Sequence, residues 1–331
     1  MSDNNNLPQK RDGAELALHK TRSLLSITNK ILANKTLVVS DDAWLDELIA
    51  WADENDISED KFPRDKQAIL AMTYLKLEPY YNEDYDEYIN LINYIPNSIG
   101  KLTNLTKLDL SMNALYELPD SIGNLINLIE LRLGHNYLIE LPNTIGNLTN
   151  LTVLYLGDNR LTEIPDTIGN LTNLTELYLG YTGIGFNSSI CYPWGNKLTE
   201  LPESIGKLTN LTKLNLSWNK FIKLPDSICN LTNLTELHLE HNNLTELPKY
   251  IGNLSNLTDL NLWGNQLTKL PESIGKLTNL TKLSLGDNQL TELPESIGKL
   301  TNLTWLDLSN NPIKSLSAQH SHLRNITTFL I

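Results

Sequence analysis

The chain has 331 residues, of which 40% are hydrophobic and 20% charged, a balance typical of a folded protein rather than a disordered one. Its formal net charge of −13 argues against binding to nucleic acid or to an anionic membrane surface, and favours a partner with a basic face. No apolar run approaches the roughly 20 residues that cross a bilayer, and the stretch from Met1 to Arg11 lacks the apolar core of a secretory signal.

The two cysteines, Cys191 and Cys229, fit a reducing compartment, with a disulfide between them as the less favoured alternative. Together with the absence of a secretory signal, they predict a cytoplasmic protein. Export by a route that uses no such signal stays open.

Residues 1–68 have the apolar spacing of helices. One amphipathic helix is predicted between Leu16 and Leu32. A second is predicted to begin at Ser40-Asp41-Asp42, since serine and aspartate suit a helix N-terminus. The apolar stripe of the second helix consists of Trp44, Leu45, Leu48, Ile49, Trp51 and Ala52.

Residues 70–94 begin with a predicted strand that contains Met72, Leu75 and Leu77. An extra stretch from Glu78 to Tyr94 follows, rich in tyrosine and acidic residues. Tyrosine is common in interfaces, but an ordinary solvated loop has a similar composition, and the sequence leaves both readings open.

From Ile95 onward one pattern recurs. A Leu-Pro or Ile-Pro pair returns every 23 residues, except for one interval of 37. Each unit fits the template LPxxIGxLxxLxxLxLxxNxL, as the stretch from Leu118 to Leu138 illustrates. A fixed period of this length is the signature of a solenoid. The pairs begin at Ile95, Leu118, Leu141, Ile164, Leu201, Leu224, Leu247, Leu270 and Leu293.

Within a unit, Leu131 and Leu133 are two residues apart, so on a strand they point to one side, and Glu130 and Arg132 point to the other. Units stacked side by side would form a parallel ladder. An asparagine ends each strand and is expected to hydrogen-bond the backbone of the turn, while a glycine such as Gly123 recurs where the outer arc must bend. The asparagines are Asn113, Asn136, Asn159, Asn219, Asn242, Asn265, Asn288 and Asn311.

This template resembles the leucine-rich repeats, and its LPxxIG form is similar to the Ras-suppressor and Scribble type shared with plant Ras-group and many bacterial proteins. The resemblance covers roughly residues 70–316. It implies a horseshoe solenoid with a parallel β-sheet on the concave side and short helices or irregular segments on the convex side. It also implies that the chain binds proteins on the concave face.

The predicted organisation is an α-helical N-terminal cap over 1–68 and a solenoid over 69–331. The solenoid would contain a degenerate first repeat over 70–94, nine regular repeats over 95–316 and a C-terminal cap over 317–331. The cap reading follows because a solenoid exposes an apolar edge at each end. The alternative is that the N-terminal helices form a separate docking domain. At the C-terminus, Leu323, Ile326, Phe329 and Leu330 are expected to cover the last repeat, and the apolar final residue, Ile331, could mark a dimer contact.

The long interval holds an insertion over 181–194. Phe186, Tyr192 and Trp194 are too apolar for an idle surface loop, so they either fold onto the rim or contact a partner. The insertion is expected to overhang the concave face at mid-solenoid and to form a wall there.

The sequence contains none of the HExxH, P-loop, GxSxG or CxxC motifs, and its six histidines are scattered. We therefore expect neither catalysis, nor a cofactor, nor a metal site. The outward strand positions, by contrast, carry tyrosine and tryptophan, the residues most often found as interface hot spots. The candidate partner-binding residues are Arg132, Tyr155, Tyr178, Tyr181, Phe186, Trp194, Trp218, His238, Trp263 and Trp305.

These observations predict a monomeric, non-enzymatic scaffold, with a role in signalling, that binds a protein partner on the concave face. One alternative is a ligand receptor or enzyme regulator that uses the aromatic insertion as a pocket. Another is a bacterial effector-like protein that binds a host protein. A purely structural reading also stays open, because near-identical repeats can arise by duplication.

Overall fold

The computed structural model describes residues 42–82, 87–89, 91–181, 195–315, 320, 323 and 326–330. The chain divides into two compact units, Met1–Trp44 and Leu45–Ile331. The helix predicted between Leu16 and Leu32 and the insertion after Tyr181 lie outside the described residues.

The second predicted helix is present as α1 (Ala43–Glu54), and its residues Leu45, Leu48, Trp51 and Ala52 are buried. The indole Nε1 of Trp51 donates a hydrogen bond to the backbone oxygen of Tyr94 at 3.0 Å. A short helix, α2 (Lys66–Leu70), begins at Asp65, whose side chain accepts from the Ala68 amide. Burial of the apolar stripe is what holds α1 in place, because a helix this short is marginal alone.

The repeats form one parallel sheet of eleven strands. Strand β1 (Tyr74–Lys76), which contains Leu75 of the first predicted strand, pairs in parallel with β4 (Lys107–Asp109). The tyrosine-rich stretch forms a separate antiparallel pair, β2 (Tyr80–Asn82) with β3 (Glu87–Ile89). The remaining strands are β4 (Lys107–Asp109), β5 (Glu130–Arg132), β6 (Val153–Tyr155), β7 (Glu176–Tyr178), β8 (Lys213–Asn215), β9 (Glu236–His238), β10 (Asp259–Asn261), β11 (Lys282–Ser284), β12 (Trp305–Asp307) and β13 (Thr328–Leu330).

The side chains alternate across this sheet as the template predicts. Leu108 and Leu110 are buried, and Asp109 between them faces the open side of the sheet, called the concave face below. The other side of each repeat is a short 3₁₀ helix that follows the proline of the Leu-Pro pair, such as Asp120–Asn124 after Pro119. The 3₁₀ helices are Asn97–Lys101, Asp120–Asn124, Asn143–Asn147, Asp166–Asn170, Glu203–Lys207, Asp226–Asn230, Ile251–Asn253, Glu272–Lys276 and Glu295–Lys299.

The glycine of the LPxxIG motif has a different role from the one expected. A bend that needed glycine would place it at positive φ, yet Gly123 is not among the residues with positive φ. A Cβ atom on Gly123 would instead lie 2.3 Å from the backbone oxygen of Thr144 in the next repeat. The glycine is therefore required for close stacking of neighbouring repeats, and the bending interpretation is wrong.

The asparagine ladder is confirmed. Asn242 is 6% exposed. Its Nδ2 donates to the backbone oxygens of Leu216 and Leu239, both at 3.0 Å, and its Oδ1 accepts from the Phe221 amide at 3.1 Å. One buried side chain thus joins its own turn to the preceding repeat.

A second column of asparagines, at the start of the Asn-Leu-Thr triplets, also joins neighbouring repeats. Asn150 Nδ2 donates to the Ile126 oxygen at 2.9 Å, and Asn173 Nδ2 donates to the Thr149 oxygen at 2.8 Å. The threonine two residues later takes part as well, because the Thr175 hydroxyl donates to the Thr152 oxygen at 3.0 Å. The Asn-Leu-Thr triplets therefore have a structural use at the strand entrance.

The C-terminal segment extends the sheet. Strand β13 pairs in parallel with β12, so that Phe329 lies beside Leu306 and Leu330 beside Asp307. Leu323 is buried, as expected. The expectation that Leu330 covers the last repeat is wrong, because alternation along the strand turns it to the concave face, where it is 43% exposed.

We predict that Asn242→Ala lowers the free energy of unfolding by about 1–3 kcal/mol, because it leaves buried backbone groups without partners. The matched control is Asn243→Ala, since the side chain of Asn243 is partly exposed and accepts a hydrogen bond from Gln266 Nε2 at 3.2 Å. Urea unfolding of both variants checks the prediction. Equal stabilities for the two variants would contradict it.

Candidate functional site

The parallel register aligns equivalent residues of successive repeats into columns across the concave face. Arg132 of β5 lies beside Tyr155 of β6, which lies beside Tyr178 of β7. The column continues through Asn215 of β8 to His238 of β9. Neighbouring strands are about 4.8 Å apart, so planar side chains in one column are close enough to stack.

Arg132, Tyr155 and Tyr178 form such a stack, called the tyrosine stack below. The two tyrosine rings are 4.2 Å apart between centroids and only 3° from parallel. The guanidinium carbon of Arg132 lies 4.3 Å from the centroid of the Tyr155 ring. The predicted adjacency of the two rings is confirmed, while their role in binding stays a prediction.

Carboxylates on the same strands hold the tyrosine stack. The Tyr178 hydroxyl donates to Glu176 Oε2 at 2.9 Å. Burial and this hydrogen bond raise the pKa of Tyr178, so the hydroxyl stays protonated and remains a donor. At the other end of the stack, Arg132 and Lys107 both pair with Glu130.

The pKa of Glu130 reflects two opposing effects. Burial alone would raise the pKa of this carboxyl, but the hydrogen bonds from Arg132 and Lys107 hold it below its ordinary value. The charged side chains around the two rings are therefore paired with one another. The rings are the least hydrated part of this surface.

A second aromatic group lies at the C-terminal ends of the following strands. Tyr181 and Trp218 meet edge to face with centroids 6.0 Å apart. The His241 ring lies 3.6 Å from Trp218 and 4.5 Å from Trp263. These four residues are called the aromatic row below, and all are partly exposed.

The aromatic row contains one residue that the sequence interpretation left out of its candidate site. His241 occupies the turn position before the ladder asparagine, and its place between two indoles follows from the columns of the sheet. Counting that turn column across repeats could have found it, because Trp218 and His241 are consecutive members of it.

The backbone conformation of the turn is unfavourable for Trp218. The turn residue has positive φ in repeat after repeat, including 53° at Trp218, 53° at His241 and 67° at Gly264. This conformation favours glycine, asparagine, aspartate and histidine, and is unfavourable for a bulky side chain. The turn itself therefore gives no reason for an indole at this position.

Two glycines make room for the row. A Cβ atom on Gly264 would lie 3.2 Å from His241 Nδ1, so the imidazole rests against that glycine. A Cβ atom on Gly286 would lie 2.7 Å from Trp263 Cδ1 and 2.9 Å from Asp307 Oδ2. The position of the Trp263 indole therefore depends on the missing side chain at Gly286.

The other candidate residues are distributed unevenly. His238 belongs to the tyrosine column but is separated from Tyr178 by Asn215. Trp305 is 39% exposed on β12, two strands beyond Trp263. Phe186 and Trp194 lie outside the described residues, so the predicted wall from the insertion stays a prediction.

The chain returns from the insertion without disturbing the ladder. Gly195 takes the turn conformation with φ of 67°, and its amide donates to Asp158 Oδ1 at 3.0 Å. Asn196 then donates to the oxygens of Leu156 and Leu179 at 3.0 and 2.7 Å. The insertion consequently leaves the solenoid at Tyr181, a member of the aromatic row, and the chain resumes the turn at Gly195.

Two other kinds of site are absent from the part of the chain that the structure describes. Within it, no helix has both the length and the apolar character to span a membrane. Among the same residues, no group of three or more histidine, cysteine, aspartate or glutamate side chains is arranged to hold a metal ion.

Comparison with known proteins identifies the repeat. A family model described as a leucine-rich repeat region matches residues 68–183 and 194–261, and a leucine rich repeat model matches 253–313. The interruption of the first match coincides with the insertion. No curated protein is similar enough in sequence to give a match.

Several solved structures share the fold. A leucine-rich-repeat protein of Leptospira interrogans is 36% identical over 73% of this chain and 64% of its own, with a TM-score of 0.58. The ectodomain of the Arabidopsis thaliana receptor kinase GASSHO1/SCHENGEN3, in complex with Casparian strip integrity factor 2, is 31% identical over 72% and 28%, with a TM-score of 0.60. The functional domain of InlJ from Listeria monocytogenes is 29% identical over 79% and 49%, with a TM-score of 0.61.

This chain spans less than two thirds of the length of each of these structures. The family models cover more than half of its residues, and the parallel sheet, the 3₁₀ helices and the asparagine ladder agree with them. The chain belongs to the leucine-rich-repeat family.

Proposed function

We propose that this chain is a non-enzymatic scaffold that binds a protein partner on its concave face. The observation that carries the proposal is the tyrosine stack, Arg132 over Tyr155 over Tyr178, which presents partly exposed rings in the middle of the sheet. Tyrosine, tryptophan and arginine are the residues that most often dominate binding energy at protein interfaces.

The surroundings of the stack support a role in binding. Flanking charges are already paired, for example Lys107 with Glu130 at 3.1 Å and Lys213 with Glu236 at 3.3 Å. A partner that covers the rings would therefore remove apolar surface from water without burying an unpaired charge there. Such an arrangement, with aromatic anchors inside a polar rim, is typical of a binding hot spot.

The aromatic row adds a second anchor on the same face. Trp218 occupies a backbone conformation that does not favour it, and local strain of this kind is concentrated at functional sites. The solved structure of the GASSHO1/SCHENGEN3 ectodomain with Casparian strip integrity factor 2 offers a precedent for a repeat of this family in a protein complex. It supports the proposed class of function and does not identify the partner.

We expect the double variant Tyr155→Ala/Tyr178→Ala to lose partner binding by at least about tenfold, because hot-spot truncations cost roughly 2 kcal/mol or more. Its fold should persist, since both side chains lie outside the core. Proteins captured from host lysate by the wild-type chain and lost from the double variant define the partner, which is then purified and titrated.

The matched control is Tyr116→Ala/Tyr137→Ala, a tyrosine pair outside the strands with ring centroids 5.3 Å apart. This control should keep the partner. Unchanged affinity in a folded Tyr155→Ala/Tyr178→Ala variant would contradict the proposed site.

We further expect Gly286→Ala to displace the Trp263 indole, because the new methyl group would lie 2.7 Å from Trp263 Cδ1. The control is Gly134→Ala at the equivalent position, where the nearest atom would be 3.4 Å away, an ordinary contact. The indole N–H resonance of Trp263, assigned with Trp263→Phe, should shift in the first variant and not in the second. Unshifted resonances in both variants would show that the indole does not depend on Gly286.

A further inference from the structure

The tyrosine column has a gap. Planar side chains follow one another at Arg132, Tyr155 and Tyr178 on three consecutive strands, and His238 stands on the second strand after Tyr178. The strand between them, β8, contributes Asn215, which is short and only 9% exposed. One member of an otherwise planar series is therefore replaced by a side chain that lies low against the sheet.

Asn215 is held low by three hydrogen bonds. Its Nδ2 donates to the backbone oxygen of Tyr181 at 2.9 Å. Its Oδ1 accepts from the Ser217 amide at 2.9 Å and from the Ser217 hydroxyl at 2.7 Å. Asn215 could rise into the column only by breaking these bonds.

The neighbours of Asn215 on β8 are also occupied. Lys213, two residues earlier on the same face, pairs with Glu236 at 3.3 Å. Ser217, two residues later, is fully buried and bonded to Asn215. The outward side chains of this strand are thus committed to other contacts.

The gap has the width of one planar group. Two strand spacings, or about 10 Å, separate Tyr178 from His238 within this column. A flat group midway would have a face about 5 Å from each side, close to the 4.2 and 4.3 Å spacings already present in the stack. Planar cations and aromatic rings both meet this steric condition.

The charges around the gap distinguish between a planar cation and an aromatic ring. Glu176 and Glu236 flank the gap on one side, with Lys213 between them, and Glu240 follows His238 on the other side. Glu240 Oε2 is buried and accepts no hydrogen bond from the described residues. Burial raises the pKa of this carboxyl, and a cation beside it would favour its charged form. Three carboxyl groups against one lysine favour a cation, in keeping with the net charge of −13.

We propose that the gap between Tyr178 and His238 binds the guanidinium of an arginine side chain of the partner protein. The group would lie over Asn215, stack on the Tyr178 ring as Arg132 stacks on Tyr155, and donate a hydrogen bond to the carboxyl of Glu240. Arginine fits better than lysine because its guanidinium is planar and presents several donors in a fork. This inference rests on the proposed function, since it names the chemistry of the partner's anchor.

Matched peptides of the form acetyl-Gly-Gly-X-Gly-Gly-amide, with X as arginine, lysine or tyrosine, test the proposal on the full chain. Binding is followed by NMR through the ring protons of Tyr178 and His238. We expect the arginine peptide to shift both rings and to bind several times more tightly than the other two. Equal or tighter binding of the lysine or tyrosine peptide, or no shift with arginine, overturns the proposal.

Two variants locate the site. Glu240→Gln keeps the shape and removes the charge, so it should weaken the arginine peptide about tenfold, as loss of a charge-assisted hydrogen bond does. The control Glu163→Gln changes an exposed carboxylate in another column and should have no effect. Thermal melts of both variants verify their folding. Identical affinities for the two folded variants would contradict the role of Glu240.

A further variant tests whether the chain fills its own gap. If the arginine peptide binds only after Phe186, Tyr192 and Trp194 are all replaced by alanine, the insertion is the occupant and the proposal is wrong.

The peptide titration and the binding of the partner protein test different claims. A partner that depends on Tyr155 and Tyr178 while the arginine peptide fails to bind defeats only this inference, whereas a partner that ignores both tyrosines defeats the proposed function.

Discussion

The buried asparagine at the end of each strand is the interaction on which the rest of this molecule depends. In Asn136, Nδ2 donates to Leu110 and Leu133 while Oδ1 accepts from the Leu115 amide. A turn closed in this way has no freedom to slide relative to the preceding repeat, because a shift of one residue would leave buried backbone groups without partners. The same geometry recurs from Asn113 to Asn311.

Because the register of the strands is fixed, equivalent residues of successive repeats lie side by side on one surface. Residues that are 23 positions apart in the sequence become neighbours at strand spacing, so each column behaves as one chemical unit. This is why two tyrosines stack within 3° of parallel without any local motif that relates them. Stacking of this kind contributes about 0.5–1.5 kcal/mol beyond area burial, and it fixes the orientation of both rings.

The places where the pattern breaks are compatible with the ladder rather than exceptions to it. The insertion leaves after Tyr181 and returns at Gly195, where Asp158 accepts the amide and Asn196 resumes the ladder. A long segment can therefore be inserted between Tyr181 and Gly195 while the stacking of the repeats is preserved. Loop closure costs little additional free energy as a segment lengthens, so the solenoid tolerates such an addition at this edge.

The sequence by itself determined the repeat, the parallel sheet, the inward leucines, the ladder and the two adjacent tyrosines. Each of these follows from a period of 23 residues and the alternation of a strand, which are local and additive rules. The tertiary structure alone decided that the motif glycine serves close stacking and that Leu330 faces outward. It also decided that His241 joins two indoles and that Asn215 lies low beneath an open position in the tyrosine column. These features depend on distances between side chains of different repeats and on competing hydrogen bonds. The 23-residue period does not specify which of two competing partners a side chain contacts.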